Sequence, residues 1–287
     1  MRIAVIGTGR VGTALALAWR RAGHEPAVAS HGEGTQRNHE TFLPDVPLVA
    51  ASRAARDADV VVLGVTDALI EAVCAELASD GVLSEDQVVA HLSGATPLAA
   101  LDAARDAGAR RLSLHPLQTF PTVEAAVRRL AGSAMAVTAD DEATAQLGER
   151  LAADAGCRPF RLADGSKPLY HAAAVLASNA VVAVLGEAAE VFAQAGVDDP
   201  EVFLPLVRAS IENVGAMGPG SALTGPVVRG DSATVERNLA ALAEHGQGSV
   251  QAYVSLARLT LDLASRSGRL SEEGRKQIEE VLARWST

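Results

Sequence analysis

The chain has 287 residues, of which 48% are hydrophobic and only 3% aromatic, and its net charge is −10. This length fits two domains, and the aliphatic composition is sufficient for packed hydrophobic cores. An acidic chain without a basic stretch argues against binding to nucleic acid or to an anionic membrane surface.

The cysteine content and the N-terminal sequence both favour a cytoplasmic protein. Cys74 and Cys157 are the only cysteines, which predicts a reducing compartment and no disulfide framework. The apolar run near the N-terminus spans only about five residues before glycines follow, so we interpret it as a buried strand and not as a signal peptide. No apolar run approaches the ~18 residues of a membrane span.

The first part of the chain alternates short apolar runs with helical patterns, which predicts a parallel sheet covered by helices on both faces. The predicted strands cover residues 2–6, 27–30, 48–51, 60–65, 88–92, 111–114, 134–138 and 158–162. The predicted helices cover residues 11–22, 67–78, 98–107 and 140–155. Residues 31–47 are polar and glycine-rich, and we expect them to be irregular.

The strand patterns end near residue 164. One long Ala/Val-rich pattern then predicts a single helix over residues 167–195. Further helices are predicted near residues 200–216, 232–245, 248–267 and 271–284. We therefore predict an α/β domain with a doubly wound, mostly parallel sheet over residues 1–164, followed by an all-α domain over residues 165–287.

The most informative motif follows the first predicted strand directly and opens the first helix: Gly7-Thr8-Gly9-Arg10-Val11-Gly12. In this context a GxGxxG sequence indicates a dinucleotide-binding Rossmann domain. Gly7 permits the tight turn, Gly9 lets a pyrophosphate approach the backbone, and Gly12 lets the helix pack closely on the strand. The helix N-terminus then offers free N–H groups to the phosphates.

The end of the second predicted strand favours NADP over NAD. NAD-binding domains usually place an acid there to bind the ribose 2′-hydroxyl, but this strand ends at Ser30 and His31. Ser30, His31, Arg10 and Arg37 could all contact a 2′-phosphate. Glu33 lies slightly further along and would serve NAD, which remains the alternative.

Polar residues follow three other strands, at the edge where ligands of open parallel sheets bind. Thr66 is a candidate for contact with the cofactor, while Asp67 is expected to cap the next helix. Ser93 follows the fifth predicted strand and would lie beside a bound nicotinamide. His115 follows the sixth strand and is a second candidate, as is His91, although buried histidines are more often structural.

The start of the long predicted helix carries three polar residues on one face. Lys167, His171 and Ser178 fall within about 40° of each other at ~100° per residue. On a helix that is otherwise rich in Ala and Val, this stripe suggests a proton donor for a bound substrate. The alternative is that Lys167 is exposed to solvent and that the other two bind neighbouring helices.

Four stretches together resemble a group of Rossmann-like oxidoreductases that have a helical C-terminal domain of unknown function: IAVIGTGRVG (3–12), HLSGA (91–95), SLHPLQTF (113–120) with KPLYHAAAVLASN (167–179), and LTGPVVRGD (223–231). This group is related to ketopantoate reductases, β-hydroxyacid dehydrogenases and pyrroline-carboxylate reductases. The wider superfamily has a lysine followed four residues later by an asparagine, and the lysine protonates the substrate oxygen. Lys167 matches that lysine, but His171 replaces the asparagine, so either residue could be the general acid.

The resemblance implies an NADP(H)-dependent reductase for a small carbonyl or imine compound that carries a carboxylate, with 2-dehydropantoate as the first compound to test. Lys167 and His171 would provide the proton, Ser93, His115 and Ser178 would orient the substrate, and Arg229 could bind its carboxylate. A homodimer formed through the helical domain is also implied. A non-catalytic dinucleotide sensor and a prephenate or β-hydroxyacid dehydrogenase remain alternatives, and the sequence contains no metal-ligand cluster.

Overall fold

A computed structural model describes residues 1–30 and 33–286 of the chain, without the side chain of residue 33. Contacts between Cα atoms divide the chain into two compact units, which comprise residues 1–178 and the residues from 179 onward. The first unit therefore extends beyond residue 164, where the strand patterns end in the sequence, and includes the first part of the long helical segment.

A seven-stranded sheet forms the centre of the first unit. Its strands are β1 (Arg2–Ile6), β2 (Glu25–Ala29), β3 (Val60–Leu63), β4 (Val88–His91), β5 (Arg110–Leu117), β6 (Ala134–Ala139) and β7 (Arg158–Arg161). They lie in the order β2-β1-β3-β4-β5-β6-β7, and all neighbours are parallel except β5 and β6. Strand β2 lies on one side of β1, and β3, the next strand in the chain, lies on the other side. The strand order therefore reverses between β1 and β3.

Helices cover both faces of this sheet. The helices of the first unit are α1 (Arg10–Arg21), α2 (Glu33–Phe42), α3 (Ala51–Arg56), α4 (Ile70–Ser79), α5 (Asp102–Asp106), α6 (Val123–Arg129), α7 (Glu142–Asp154) and α8 (Lys167–Ala177). Alternate strand residues point to opposite faces: Val5 belongs to a core with α1, α6 and α7, whereas Ile6 belongs to a core with α3, α4 and α5. This is the doubly wound arrangement.

The described part of the second unit is helical. Its helices are α9 (Asn179–Gln194), α10 (Leu204–Met217), α11 (Pro219–Ala222), α12 (Ser232–Ala243), α13 (Gln247–Arg266) and α14 (Glu272–Arg284). Their shared core lies between α12, α13 and α14, where Leu239, Val250 and Ile278 are fully buried. The α/β fold followed by a helical region is thus confirmed.

Two sequence predictions in the first unit are wrong. The segment 48–51 forms no strand, because only Leu48 makes an isolated bridge to Val28 and residue 50 already precedes α3. Residues 33–42, expected to be irregular, form α2. This helix is mostly polar and shows no hydrophobic period in the sequence. Its contribution to the core comes from Phe42, its last residue, and from Leu43, which follows it.

The predicted single helix over residues 167–195 is interrupted at Ser178, which has φ −128° and ψ −70°. The Ser178 hydroxyl donates to the carbonyl of Ala174 at 3.0 Å, and such bonds compete with the regular helical pattern. Strand β5 is longer than predicted and continues to Leu117, so His115 lies within the strand and not in a loop after it.

Candidate functional site

The glycine-rich turn after β1 packs directly against the end of β3. Gly7 has φ +104°, and its amide donates to the carbonyl of Ala29 at 2.8 Å. A Cβ on Gly7 would lie 2.7 Å from the carbonyl group of Gly64, and one on Gly12 would lie 2.2 Å from the carbonyl oxygen of Gly7. The turn, α1 and β3 can therefore approach this closely only with glycine at these positions.

An open crevice of about 440 Å³ lies where the strand order reverses. Its lining residues come from the glycine-rich turn, from α2 and from the ends of β3 and β4: Gly9, Arg10, Val11, Asn38, Gly64, Val65, Thr66, Asp67 and Leu92. A Cβ on Gly9 would meet only the carbonyl oxygen of Gly64, at 3.9 Å. The backbone at Gly9 therefore faces the crevice, and the N-terminus of α1 is available to a phosphate there.

Hydrogen bonds link the glycine-rich turn beside this crevice to Ser30 and to α2. Thr8 is fully buried, and its hydroxyl lies 3.0 Å from the Ser30 hydroxyl and 2.8 Å from the carbonyl oxygen of Thr35. Asn38 donates to the carbonyl of Thr8 at 2.8 Å. The predicted contact residue Ser30 is thus bonded to Thr8 and is not among the residues that line the crevice.

The other predicted cofactor contacts are distributed around the same end of the sheet. Arg10 and Thr66 line the crevice and are exposed, as expected for residues that contact a ligand. Arg37 is also exposed, on α2. His31 lies outside the described residues, so its predicted contact with a 2′-phosphate stays a prediction.

Ser93 connects the crevice to the second group of predicted site residues. Its hydroxyl donates to the Asp67 carboxylate at 2.6 Å and accepts the backbone N–H groups of Ala95 and Thr96 at 3.2 and 3.0 Å. Asp67, expected to cap a helix, instead holds the loop after β4. Since the hydroxyl of Ser93 is fully used by these bonds, it shapes the loop that would face a substrate.

Lys167 is fully buried at the start of α8. Its ammonium donates to the carbonyl of Ser93 at 3.0 Å and to the hydroxyl of Ser113, on β5, at 2.7 Å. Burial lowers the pKa of Lys167 from 10.5 to about 8, against the opposing attraction of Asp164 and Asp67. The lysine therefore joins the loop after β4 and the middle of β5 to α8, and it carries a positive charge at neutral pH.

His115 and Tyr170 form a pair beside this lysine. The Tyr170 hydroxyl lies 2.8 Å from Nδ1 of His115, and the two rings meet edge to face with centroids 5.6 Å apart. The imidazole also rests on the backbone of Gly94, where a Cβ would lie 2.7 to 2.9 Å from three ring atoms. Glycine at position 94 is thus required for this position of the ring.

Burial and the nearby ammonium keep His115 and His91 neutral. Desolvation, then the charge of Lys167 and then His171 lower the pKa of His115 to about 4, while Asp67 opposes the shift weakly. Desolvation and Lys167 likewise lower the pKa of His91 to about 3. Desolvation raises the pKa of Tyr170 to about 12, so its phenol keeps its proton.

The structure brings together four of the residues that the sequence singles out, since Ser93, Lys167, His115 and His171 lie in one cluster of the first unit. The ring of His171 is 6.3 Å from that of His115. Ser178 bonds to its own helix, and Arg229 is exposed in the second unit, in the turn before α12. Their predicted roles in substrate binding stay predictions.

Sequence reasoning assigned no role to two residues of the cluster, Tyr170 and Ser113, although each lies inside a stretch that carries the family resemblance. Tyr170 could have been found from spacing, because it follows Lys167 by three positions and so lies on the same side of the helix. The contacts of Ser113 and Gly94 depend on strand pairing and loop shape, which no local pattern reveals.

A doubly wound sheet with a glycine-rich turn and an open crevice at its reversal point defines a protein of the Rossmann class. Residues 1–116 match the family model of the Rossmann-like domain. Residues 133–260 match the family model described as a domain of unknown function, DUF2520. The chain thus combines these two domains, which confirms the resemblance found in the sequence.

Solved structures share this fold at low sequence identity. A candidate NADP oxidoreductase from Bacteroides fragilis is 20% identical with a TM-score of 0.75, covering 91% of this chain and 97% of its own. A protein from Thermotoga maritima is 24% identical with a TM-score of 0.71, covering 93% and 99%. A reductive aminase from Aspergillus terreus, in complex with NADPH and ethyl levulinate, is 18% identical with a TM-score of 0.68, covering 97% and 98%. No curated protein matches the sequence.

Proposed function

We propose that this chain is an NADP(H)-dependent oxidoreductase that reduces a small carbonyl or imine compound. The observation that carries the proposal is one juxtaposition in the first unit. The crevice along Gly9 ends at Asp67, and Asp67 binds Ser93, whose carbonyl holds the buried Lys167. A dinucleotide site and a cluster of proton-bearing groups thus share the carboxyl edge of the sheet.

The choice of NADP rests on the described end of β2 and on the solved neighbours. Strand β2 ends at Ala29, and Ser30 after it carries a hydroxyl and no carboxylate. Arg10 is exposed at the crevice and suits a 2′-phosphate. The reductive aminase with the same fold was solved with NADPH, which supports the same cofactor here.

A bound dihydronicotinamide would supply a hydride to the substrate carbon. The side chains of this cluster then have to orient the substrate heteroatom, supply its proton and stabilise its developing negative charge. Ser93 and Ser113 hold the positive charge of Lys167 in place. The lysine therefore does not need to move when negative charge develops on the substrate heteroatom. A substrate carboxylate would be bound by Arg229, and 2-dehydropantoate is the first compound to test.

We further propose that the protein is a homodimer formed through its helical unit. Apart from Val202, the large apolar side chains that are exposed in the described part of the second unit lie on α9, α10 and α13: Val181, Val182, Val184, Leu206, Ile211, Val214, Met217, Leu256 and Leu259. A groove of about 590 Å³ runs between α9 and α13. A second copy of the chain would cover these apolar side chains, since contiguous exposed apolar patches mark interaction sites.

A membrane is the other environment that could cover an apolar helix. By length and composition alone, the helical run Asp164–Gln194 could cross a bilayer, with a mean hydropathy of 1.7. One such helix is weak evidence, and Lys167 near its start is packed against β4 and β5. We therefore propose a soluble protein.

The experiment that tests this function titrates purified protein with NADPH and with NADH, and then follows nicotinamide absorbance while substrates are added. The panel contains 2-keto acids, including 2-dehydropantoate, and cyclic imines. We expect tighter binding of NADPH than of NADH, and oxidation of NADPH by at least one class of compound.

Each outcome of this titration discriminates between functions. Oxidation by a single class names the substrate chemistry. Binding of NADPH without turnover by any compound would support a dinucleotide sensor instead of a reductase. In a parallel assay that starts from NADP+, reduction of the dinucleotide on addition of a hydroxyacid or prephenate, with no reductase activity in the panel, would support a dehydrogenase. Absence of binding by both nucleotides would refute the proposal.

A further inference from the structure

Three proton-bearing groups meet beside the crevice, and their surroundings differ. Lys167 is fully enclosed, with its ammonium bonded to a carbonyl and a hydroxyl of the protein. His115 and Tyr170 are only partly buried. A substrate can therefore reach the His115–Tyr170 pair without breaking bonds of the protein, whereas it can reach the third N–H of Lys167 only if the residues that enclose this side chain move.

The bond between Tyr170 and His115 has a preferred direction. A neutral phenol is a stronger acid than a neutral imidazole, so the hydroxyl donates and Nδ1 accepts. Within the described residues, the Tyr170 hydroxyl has one protein hydrogen-bond partner, Nδ1 of His115. When Nδ1 of a neutral imidazole is an acceptor, the single ring proton must be on Nε2.

The charged groups around the pair keep this state at neutral pH. Lys167 and His171 both disfavour a second proton on His115, and Asp67 favours it only weakly. The phenol of Tyr170 remains protonated because burial opposes its ionisation. The imidazole is thus held as a neutral donor, and its plane is fixed by contact with Gly94.

We propose that Tyr170 is a positioning residue that fixes the Nε2–H tautomer of His115, and that this N–H is the group that protonates the substrate heteroatom. The inference rests on the proposed reductase function. It assigns Lys167 a supporting role, since the lysine acts through the carbonyl of Ser93 and the hydroxyl of Ser113.

The proton movements balance without a further reactant. The substrate carbon receives the hydride, and its heteroatom takes the proton of Nε2. Nδ1 of His115 takes the proton of Tyr170 as Nε2 gives up its own. When Nε2 then takes a proton from solvent, Nδ1 returns its proton to the phenolate, which restores the Nε2–H tautomer and the neutral phenol. The dinucleotide is oxidised, the substrate is reduced, and the net proton comes from solvent.

The tautomer can be measured without any substrate. Protein labelled with ¹⁵N at histidine reports which ring nitrogen carries the proton, and a His115→Asn variant assigns the signals of His115 among those of the seven histidines. We expect Nε2–H for His115 throughout the range from about pH 6 to 8. His91 is an internal reference, because its Nδ1 accepts the amide of Ser93. A wild-type His115 protonated at Nδ1 would overturn the proposal.

The Tyr170→Phe variant then tests the positioning role, because it removes only the hydroxyl. We expect His115 to become a mixture of tautomers in this variant, while the signals of His91 stay unchanged. With the substrate that the panel identifies, kcat should fall about 100-fold, with little change in KM or in the Kd of NADPH. An unchanged tautomer or an unchanged kcat would refute the role of Tyr170.

Two further variants separate this role from a general loss of structure. Tyr253→Phe changes the other tyrosine of the chain, whose hydroxyl accepts from Asn238, and should leave the His115 spectrum unaltered. Gly94→Ala places a methyl against the imidazole and should disturb His115 although Tyr170 is intact. If no compound of the panel is reduced, the proposed function fails, but the tautomer measurement still decides the assignment of Tyr170.

Discussion

At the scale of single residues, Lys167 is the most unusual feature of the molecule. A fully buried ammonium is costly unless hydrogen bonds compensate it, and here two acceptors do so only in part, because the pKa of Lys167 falls to about 8. The protein thus keeps a charge at the carboxyl edge of the sheet at the expense of stability. A purely structural link between β4, β5 and α8 would not require a charged group.

The lowered pKa of Lys167 predicts a specific pH dependence of the free energy of unfolding. The unfolded chain binds a proton at Lys167 up to pH 10.5, whereas the folded chain releases it near pH 8. Stability due to this group therefore rises with pH inside that window. Compared with Lys167→Met, the wild type should gain about 2–3 kcal/mol between pH 7 and 10, as measured by denaturant unfolding at both pH values.

The chain offers a matched control for this comparison. Its second lysine, Lys276, is exposed on α14, so the same pH series on Lys276→Met should run parallel to the wild type. A difference between wild type and Lys167→Met that stays constant with pH would mean that Lys167 has an ordinary pKa in the folded protein.

At the scale of elements, the unit β1–turn–α1 illustrates how far sequence reasoning extends. A strand, a glycine-rich turn and a helix in direct succession were sufficient to predict the crevice, because each glycine has a local steric reason. The helix α2 and the absent strand at 48–51 could not be predicted in this way. Both depend on tertiary contacts. Leu48 forms only an isolated β-bridge with Val28, whereas Phe42 and Leu43 pack into a hydrophobic core of the first unit.

The glycines of the turn predict two separable defects. Gly9→Ala should leave stability unchanged, because its Cβ would be 3.9 Å from the nearest atom, but it should weaken NADPH binding by intruding on the crevice. Gly12→Ala should lower stability by about 1–3 kcal/mol, because its Cβ would lie 2.2 Å from a backbone oxygen. Thermal unfolding and fluorescence titration with NADPH measure the two effects.

A control for both variants is Gly248→Ala in α13, where a Cβ would have no atom within 4 Å. It should neither destabilise the protein nor change NADPH affinity. Equal loss of stability in the Gly9 and Gly12 variants would contradict the packing described for the turn.

The candidate site combines information from both scales. Residue types and strand ends were enough to predict Ser93, Lys167, His115 and His171 as one group. The spacing of Tyr170 from Lys167 places both residues on the same side of α8, but spacing does not identify the partner of the phenol. That partner, His115, follows from the path of β5, which places His115 opposite α8.

At the scale of the whole molecule, the proposed dimer accounts for a helical unit whose apolar side chains face outward. On α9 and α10, Val182 is 70% exposed and Leu206 is 67% exposed. Isolated exposed apolar residues are common, but a surface carrying them on three helices is typical of an interface.

The dimer predicts that charges on this surface dissociate the protein without unfolding it. Wild-type protein should sediment as a dimer at micromolar concentration, and the double variant Val182→Glu/Leu206→Glu should sediment as a monomer with an unchanged helical circular dichroism spectrum. Leu48→Glu, at an exposed position of the first unit, should remain dimeric. A monomeric wild type would refute the dimer. A dimer that persists in the double variant would place the interface elsewhere, because burying two unpaired carboxylates costs more free energy than an interface on α9 and α10 can supply.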